Sequence, residues 1–167
     1  MTEEALDARY DVPRIEHGEK EYLLVTDFAC AEGDSINASA RLLGEHIRKC
    51  ENHGIRNHAS VGSIILKEMM EAEEEKESFL FTKIPESIYE EGFFKEEDLY
   101  EKPEGDFVVI MHKGPYGSVR DSLEKLMEFI RKEHLAIVGD CYVYDMLSYL
   151  AGAGEEDYVV KIKVPVK

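Results

Sequence analysis

The chain has 167 residues, of which 44% are hydrophobic, and a formal net charge of −16. That length suits a single domain with a buried core, and the charge argues against direct contact with a phosphate backbone, where affinity comes largely from Lys and Arg displacing counterions. No apolar run approaches the roughly 20 residues of a membrane span, and residues 1–14 lack the apolar centre of a signal peptide, so the sequence reads as soluble, cytoplasmic and without a membrane partner.

The first predicted element is a short strand over residues 22–29, YLLVTDFA, rich in apolar and β-favouring types. A helix should follow, capped by Asp34 or Ser35, with Ile36, Ala40, Leu43 and Ile47 recurring at helical steps and Gly54 ending it in the left-handed conformation. Ala59 to Lys67 and Phe79 to Ile84 read as two strands separated by the charged stretch MMEAEEEKE. Residues 86 to about 105 form a polar connector, with a short helix near Glu96.

The second half repeats this order. Phe107 to His112 reads as a strand, and Gly114-Pro115-Tyr116-Gly117 as a turn that Ser118 closes as a helix N-cap. Val119, Leu123, Leu126, Met127 and Ile130 then form one apolar stripe of helical period. Val138 to Leu147 and Tyr158 to Val164 supply two further strands, joined through the flexible segment Ala151-Gly152-Ala153-Gly154.

The two halves also echo each other in sequence. Ser78 to Pro85 parallels Tyr158 to Pro165 at a shift of 80, Ile47-Arg48-Lys49 parallels Ile130-Arg131-Lys132 at 83, and Tyr22 to Val25 parallels Phe107 to Ile110 at 85. The expectation is an α+β fold: a tandem βαββ repeat with pseudo-twofold symmetry, antiparallel sheets with two long helices on one side, and a ligand cleft between the copies. Repeat one covers about residues 20–85 and repeat two about 106–167, the whole chain being one domain because no Gly/Ser/Pro-rich linker separates them.

Cys30, Cys50 and Cys141 are far apart and form no CxxC pair, which leaves buried free thiols rather than a disulfide framework or a zinc site. The histidines are scattered, and Gly54 between His53 and His58 argues against a fixed metal geometry, so neither a metal nor a cofactor is expected. From Glu68 to Asp106, fifteen Asp or Glu stand against four Lys. This stretch reads as a solvated rim, or as a field attracting a cationic ligand or basic partner.

The run His112-Lys113-Gly114-Pro115-Tyr116, the helix end Phe129-Ile130-Arg131-Lys132, the strand entry Val138-Gly139-Asp140-Cys141-Tyr142 and the terminal Val160-Lys161-Ile162-Lys163-Val164-Pro165-Val166 resemble the GyrI-like effector-binding family. Within it, the chain looks most like the C-terminal drug-sensing domains of MerR-type multidrug regulators. The resemblance is strongest over residues 106–167, with Asn37-Ala38-Ser39 supporting it in the first half.

What the resemblance implies is a cleft between two βαββ units that binds small hydrophobic or aromatic compounds with aromatic rings and a buried carboxylate. Tyr116, Tyr142 and Tyr158 match aromatic positions of the family near that cleft. Val143 stands where the family carries a drug-contacting glutamate, Asp145 two residues on shares its strand face, and Lys161 replaces a glutamate of the final strand. Lys161 would then either pair with Asp145 or Glu156, or turn the pocket towards neutral or anionic ligands. Phe81 occupies the echoed position in the first repeat.

The function expected is therefore that of an effector-binding sensor of a transcription regulator, non-enzymatic. DNA would be reached only through a winged-helix domain that does not fit in the roughly twenty residues ahead of the first strand, and a homodimer is a feature of the full-length regulator. The residues Ala8 to Arg14 look like the junction after such a regulator's dimerising helix. Two alternatives remain open: a GyrI-like hydrolase of reactive small molecules, although no GxSxG and no paired-carboxylate signature is present, and an acidic modulator that binds a DNA-processing enzyme.

Overall fold

A computed structural model describes residues 10–30, 36–56, 60–72, 77–115, 119–147 and 158–167. The strands are β1 (Arg14–Gly18), β2 (Glu21–Asp27), β3 (Gly62–Ile65), β4 (Glu77–Lys83), β5 (Leu99–Lys102), β6 (Gly105–Lys113), β7 (Cys141–Leu147) and β8 (Val159–Val166). The helices are α1 (Ile36–Asn52), α2 (Lys67–Glu71), α3 (Glu86–Glu91) and α4 (Val119–Lys132). The repeated β-α-β-β order is present as β2-α1-β3-β4 and β6-α4-β7-β8. No helix among the described residues is long and apolar enough to cross a membrane.

All eight strands belong to one antiparallel sheet of order β1-β6-β8-β7-β3-β4-β2-β5. The two units fuse where β3 pairs with β7, Ser63 opposite Val143 and Ile64 opposite Tyr142. The strand ahead of each unit edges the other unit: β1 pairs with β6, and β5, from the connector, with β2.

This exchange forces curvature. β1 and β2 are six sheet positions apart but joined only by Glu19 and Lys20. A flat sheet would separate them by about 29 Å, whereas three residue steps reach at most about 11 Å. The same conflict holds for β5 and β6, joined by Pro103 and Glu104. The sheet resolves both by curling into a half-barrel whose two ends meet at these short links.

Both long helices cover the convex side. Leu123, Leu126 and Ile130 of α4 pack on Val108, Ile110, Val160, Ile162 and Val164, as the apolar stripe predicts. In α1 the buried stripe is Ala38, Leu42, His46 and Cys50, and Ala40 is exposed. The stripe expected from Ala40, Leu43 and Ile47 is thus rotated, because a histidine takes a core position that hydropathy assigns to an apolar residue. His46 succeeds there because both ring nitrogens are satisfied. Thr82 donates its hydroxyl to the Ser60 carbonyl (3.2 Å) and so accepts from His46 Nε2 (2.9 Å), leaving Nδ1 to accept from Thr26 (2.8 Å). Cys50 and Cys141 are buried free thiols.

The helix ends show where the copies align. After α1, Gly54 takes φ 78° and the Ile55 N–H returns to the Cys50 carbonyl (2.9 Å). After α4, His134 takes φ 55° and the Leu135 N–H returns to the Ile130 carbonyl (3.0 Å). The structural equivalent of Ile130 at this turn is therefore Cys50, three residues beyond the Ile47 that the sequence echo suggests. The expected caps Asp34, Ser35 and Ser118, and the segment Ala151 to Gly154, lie outside the described residues.

Candidate functional site

Strand alternation sends every second side chain to the concave side. Leu23, Val25, Ile64, Phe81, Phe107, Val109 and Tyr142 form a buried cluster there, with half-buried Phe79, Tyr100 and Tyr144 packed against it. Their sequence neighbours Leu24, Ile65, Val108 and Cys141 belong to the two convex clusters that the helices cover. Phe81 meets Tyr142 and Tyr144 edge-on, with centroids 6.3 and 5.1 Å apart, and Tyr142 meets Tyr100 and Phe107 at 6.1 and 6.3 Å. The packing depends on Gly62, where a Cβ would come within 2.6 Å of the Phe81 ring and 2.5 Å of the Val143 carbonyl oxygen.

The curled ends bring charge onto this face. Lys102, on β5 opposite Glu21, is 1% exposed. Its ammonium lies 3.3 Å from Glu21 Oε2 and 4.5 Å from the Phe107 ring centroid. Glu21 is also 3.5 Å from Lys83 and accepts a hydrogen bond from the Tyr144 hydroxyl (3.1 Å). Burial works to raise the Glu21 pKa, but Lys102, Lys83 and that hydroxyl outweigh it and hold the carboxyl below its ordinary value. At the opposite end Glu16 binds Arg14 (2.8 Å) and Lys161 (3.3 Å). Again burial is overcome, by Arg14 and Lys161 together, and the carboxyl is lowered.

Tyr100 donates to Asp140 Oδ2 (2.6 Å), so the 3.0 Å contact between the Tyr100 and Tyr142 hydroxyls is a donation from Tyr142. Burial pushes the Tyr142 hydroxyl up to about 12. Burial and their carboxylate acceptors raise Tyr100 and Tyr144 as well. The face therefore presents neutral phenols.

Of the residues expected at a cleft, Phe81, Tyr142 and Lys161 are on this face. Val143 packs against the convex cluster, and Asp145 pairs with Val160 of that same cluster. These two therefore do not join the aromatic face, because alternation puts them opposite Tyr142. Tyr158 is buried just ahead of β8, its carbonyl accepting the Gly114 N–H (2.8 Å). Tyr116 and Glu156 lie outside the described residues. Lys161 takes Glu16 as its partner, not Asp145, because β1 pairs with β6 next to β8.

The residues missed are Glu16, Glu21, Phe79, Tyr100, Lys102, Phe107 and Lys163. The alternation Lys161-Ile162-Lys163 was a usable signal for Lys163, since Ile162 is fully buried on the convex side. Tyr100 and Lys102 carried none, since their strand falls in what reads as a polar connector.

No family model matches the sequence, and no curated protein matches it. Solved structures do. The EcmrR C-terminal domain superposes with a TM-score of 0.66 at 15% identity, over 93% of this chain and 97% of that one. EcmrR in its complex with DNA gives 0.65, and there the chain spans 57% of the EcmrR length. A hydrolase encoded by lin2189 from Listeria innocua gives 0.56 at 14% identity, over 99% and 96% of the two chains. SAV2435 bound to tetraphenylphosphonium gives 0.52 at 11% identity, over 93% and 94%. At these identities the likeness is one of architecture, and with two βαββ units fused into one curled sheet the chain has a GyrI-like fold.

Proposed function

We propose that the chain is a ligand-sensing domain of a transcription regulator that holds a hydrophobic or aromatic compound on its concave face. The observation that carries this reading is an aromatic surface left uncovered by both long helices, with Phe79, Tyr100 and Tyr144 half-buried around a fully packed floor. Flat rings on a rigid sheet offer apolar area and ring faces at little entropic cost. The shared fold with a domain of EcmrR, a protein solved on DNA, supports the regulatory half of the reading. Such a sensor works by differential affinity: the compound shifts the regulator only as far as it binds one arrangement better than the other. DNA is then contacted by a separate domain of a dimeric regulator.

Hydrolysis is the second reading, favoured by the Listeria innocua neighbour. It is weaker because the phenols of the concave face stay protonated and their hydrogens are committed to Asp140, Tyr100 and Glu21. Docking of a basic protein on the acidic stretch is weakened too. Asp98, Glu101 and Asp106 are already paired with Lys49, Lys20 and His17.

Calorimetric titration of the chain with tetraphenylphosphonium, naphthalene-2-carboxylate and naphthalene-2-carboxamide tests the sensor reading. At least one should bind saturably, and Tyr144→Ala should weaken it. Absence of saturable binding across the three would overturn the proposal.

A further inference from the structure

The concave face is electropositive in a chain whose formal charge is −16. Among the described residues Arg14, Lys83, Lys102, Lys161 and Lys163 lie on it against Glu16, Glu21 and, at the exposed end of β2, Asp27, with Asp140 at its margin through Tyr100. Each glutamate is shared between two cations: Glu16 between Arg14 and Lys161, and Glu21 between Lys102 and Lys83. Among the described residues Lys163 makes no direct ion pair, Glu16 and Glu21 acting on it only at longer range. Its ammonium stands 5.4 Å from the Tyr144 centroid and 5.9 Å from that of Phe107. A half-buried ammonium whose nearest neighbours are aromatic rings, with no carboxylate in direct contact, keeps much of its desolvation cost.

Lys161, two residues earlier on β8 and opposite Tyr144, shares this face, its ammonium lying on Glu16. At the shift of 80, Phe79 and Phe81 of β4 stand where β8 carries Val159 and Lys161, and Lys83 stands where it carries Lys163. The middle of the β4 side is thus aromatic, whereas the β8 side offers two adjacent donors to an anion.

We propose that this face selects an aromatic carboxylate, its ring lying against Phe79, Phe81 and Tyr144 and its carboxylate seated on Lys163 with Lys161 beside it. This rests on the sensor reading above and sets the charge of the ligand. The carboxylate supplies a directly paired counter-charge, which Lys163 does not have among the described residues. The direction in which Lys163 titrates agrees: burial first, then repulsion from Lys161 and Lys102, outweighs the attraction of Glu16 and Glu21 and lowers its pKa, and a bound anion offsets that repulsion. An aromatic cation would meet the same repulsion.

The test compares three probes that share one ring system: naphthalene-2-carboxylate, its neutral carboxamide and 2-naphthylmethylammonium. The carboxylate should bind the wild-type chain at least about ten-fold more tightly than the carboxamide, the ratio one charge-assisted hydrogen bond supplies, and the ammonium most weakly. Lys163→Met should reduce carboxylate affinity to that of the carboxamide while leaving the carboxamide unchanged, and Lys163→Arg should retain the preference. Thermal melts of both variants establish that they fold. Equal binding of carboxylate and carboxamide, or tighter binding of the ammonium, overturns the anion assignment and leaves the sensor reading standing. No binding by any of the three overturns the anion assignment, and if tetraphenylphosphonium also fails to bind, the sensor reading falls with it.

Discussion

Lys102 and Glu21 face each other across β5 and β2, with the ammonium 3.3 Å from the carboxylate and the lysine side chain 1% exposed. The pair exists because β5, in the connector ahead of the second unit, edges the first. Removing one partner of a buried pair strands the other charge, at a cost of about 3 kcal/mol. Glu21→Gln is expected to cost that much in urea unfolding, and Glu21→Gln with Lys102→Met should recover to within about 1 kcal/mol of wild type. A single substitution costing under about 1 kcal/mol would show that the pair is solvated.

His46 makes stability depend on pH in one direction. Burial, then Lys49, lowers its pKa from 6.5 to about 4. Between those values the unfolded chain binds a proton that the folded chain refuses, so stability falls on acidification from pH 6.5 towards 4, by about 3 kcal/mol in full. Above pH 6.5 the residue is neutral in both states and adds no slope. Urea unfolding at intervals across this window should give a steeper acid loss for wild type than for His46→Gln. Parallel curves would contradict the buried neutral imidazole.

The two helix ends make opposite predictions for one backbone conformation. Gly54→Ala places a Cβ at φ 78° and should lose about 1 kcal/mol. His134→Gly removes one at φ 55° and should gain a few tenths to about 1 kcal/mol. Thermal unfolding followed by circular dichroism reads both, and a gain from Gly54→Ala would contradict the left-handed assignment.

Gly62→Ala drives a methyl group into the Phe81 ring and the Val143 carbonyl oxygen, both within 2.6 Å of the ideal Cβ. The backbone oxygen cannot rotate away, so about 2 kcal/mol should be lost. The aromatic resonances of Phe81 and Tyr142 should move with it. An unchanged melting temperature would mean that β3 and β7 are further apart than described.

The repeat was legible in the sequence because each unit carries its own apolar periodicity, and α4 shows it most plainly. The rotation of α1 was not, because His46 becomes a core residue only when Thr26 and Thr82 arrive from two strands to satisfy it. The fusion into one sheet and the crossing of β1 and β5 are also unreadable locally, since pairing partners lie up to 95 residues apart, as Arg14 and Val109 do. That is why Tyr142 and Lys161 could be singled out on their own strands, while Glu16, Glu21 and Lys102 could not. Val143 and Asp145 show the limit of family positions: the fold transfers, but alternation on β7 decides which side chains reach the concave face.

The central claim is that ligand binds on the concave side of the curled sheet, and aromatic-ring carbon–proton NMR during titration with naphthalene-2-carboxylate tests it most directly. Resonances of Phe79, Tyr100 and Tyr144 should shift and saturate together, while methyl groups of Leu42, Leu123 and Leu126 under the helices stay in place. Saturable binding that moves the convex methyls and leaves those three rings unshifted would contradict it.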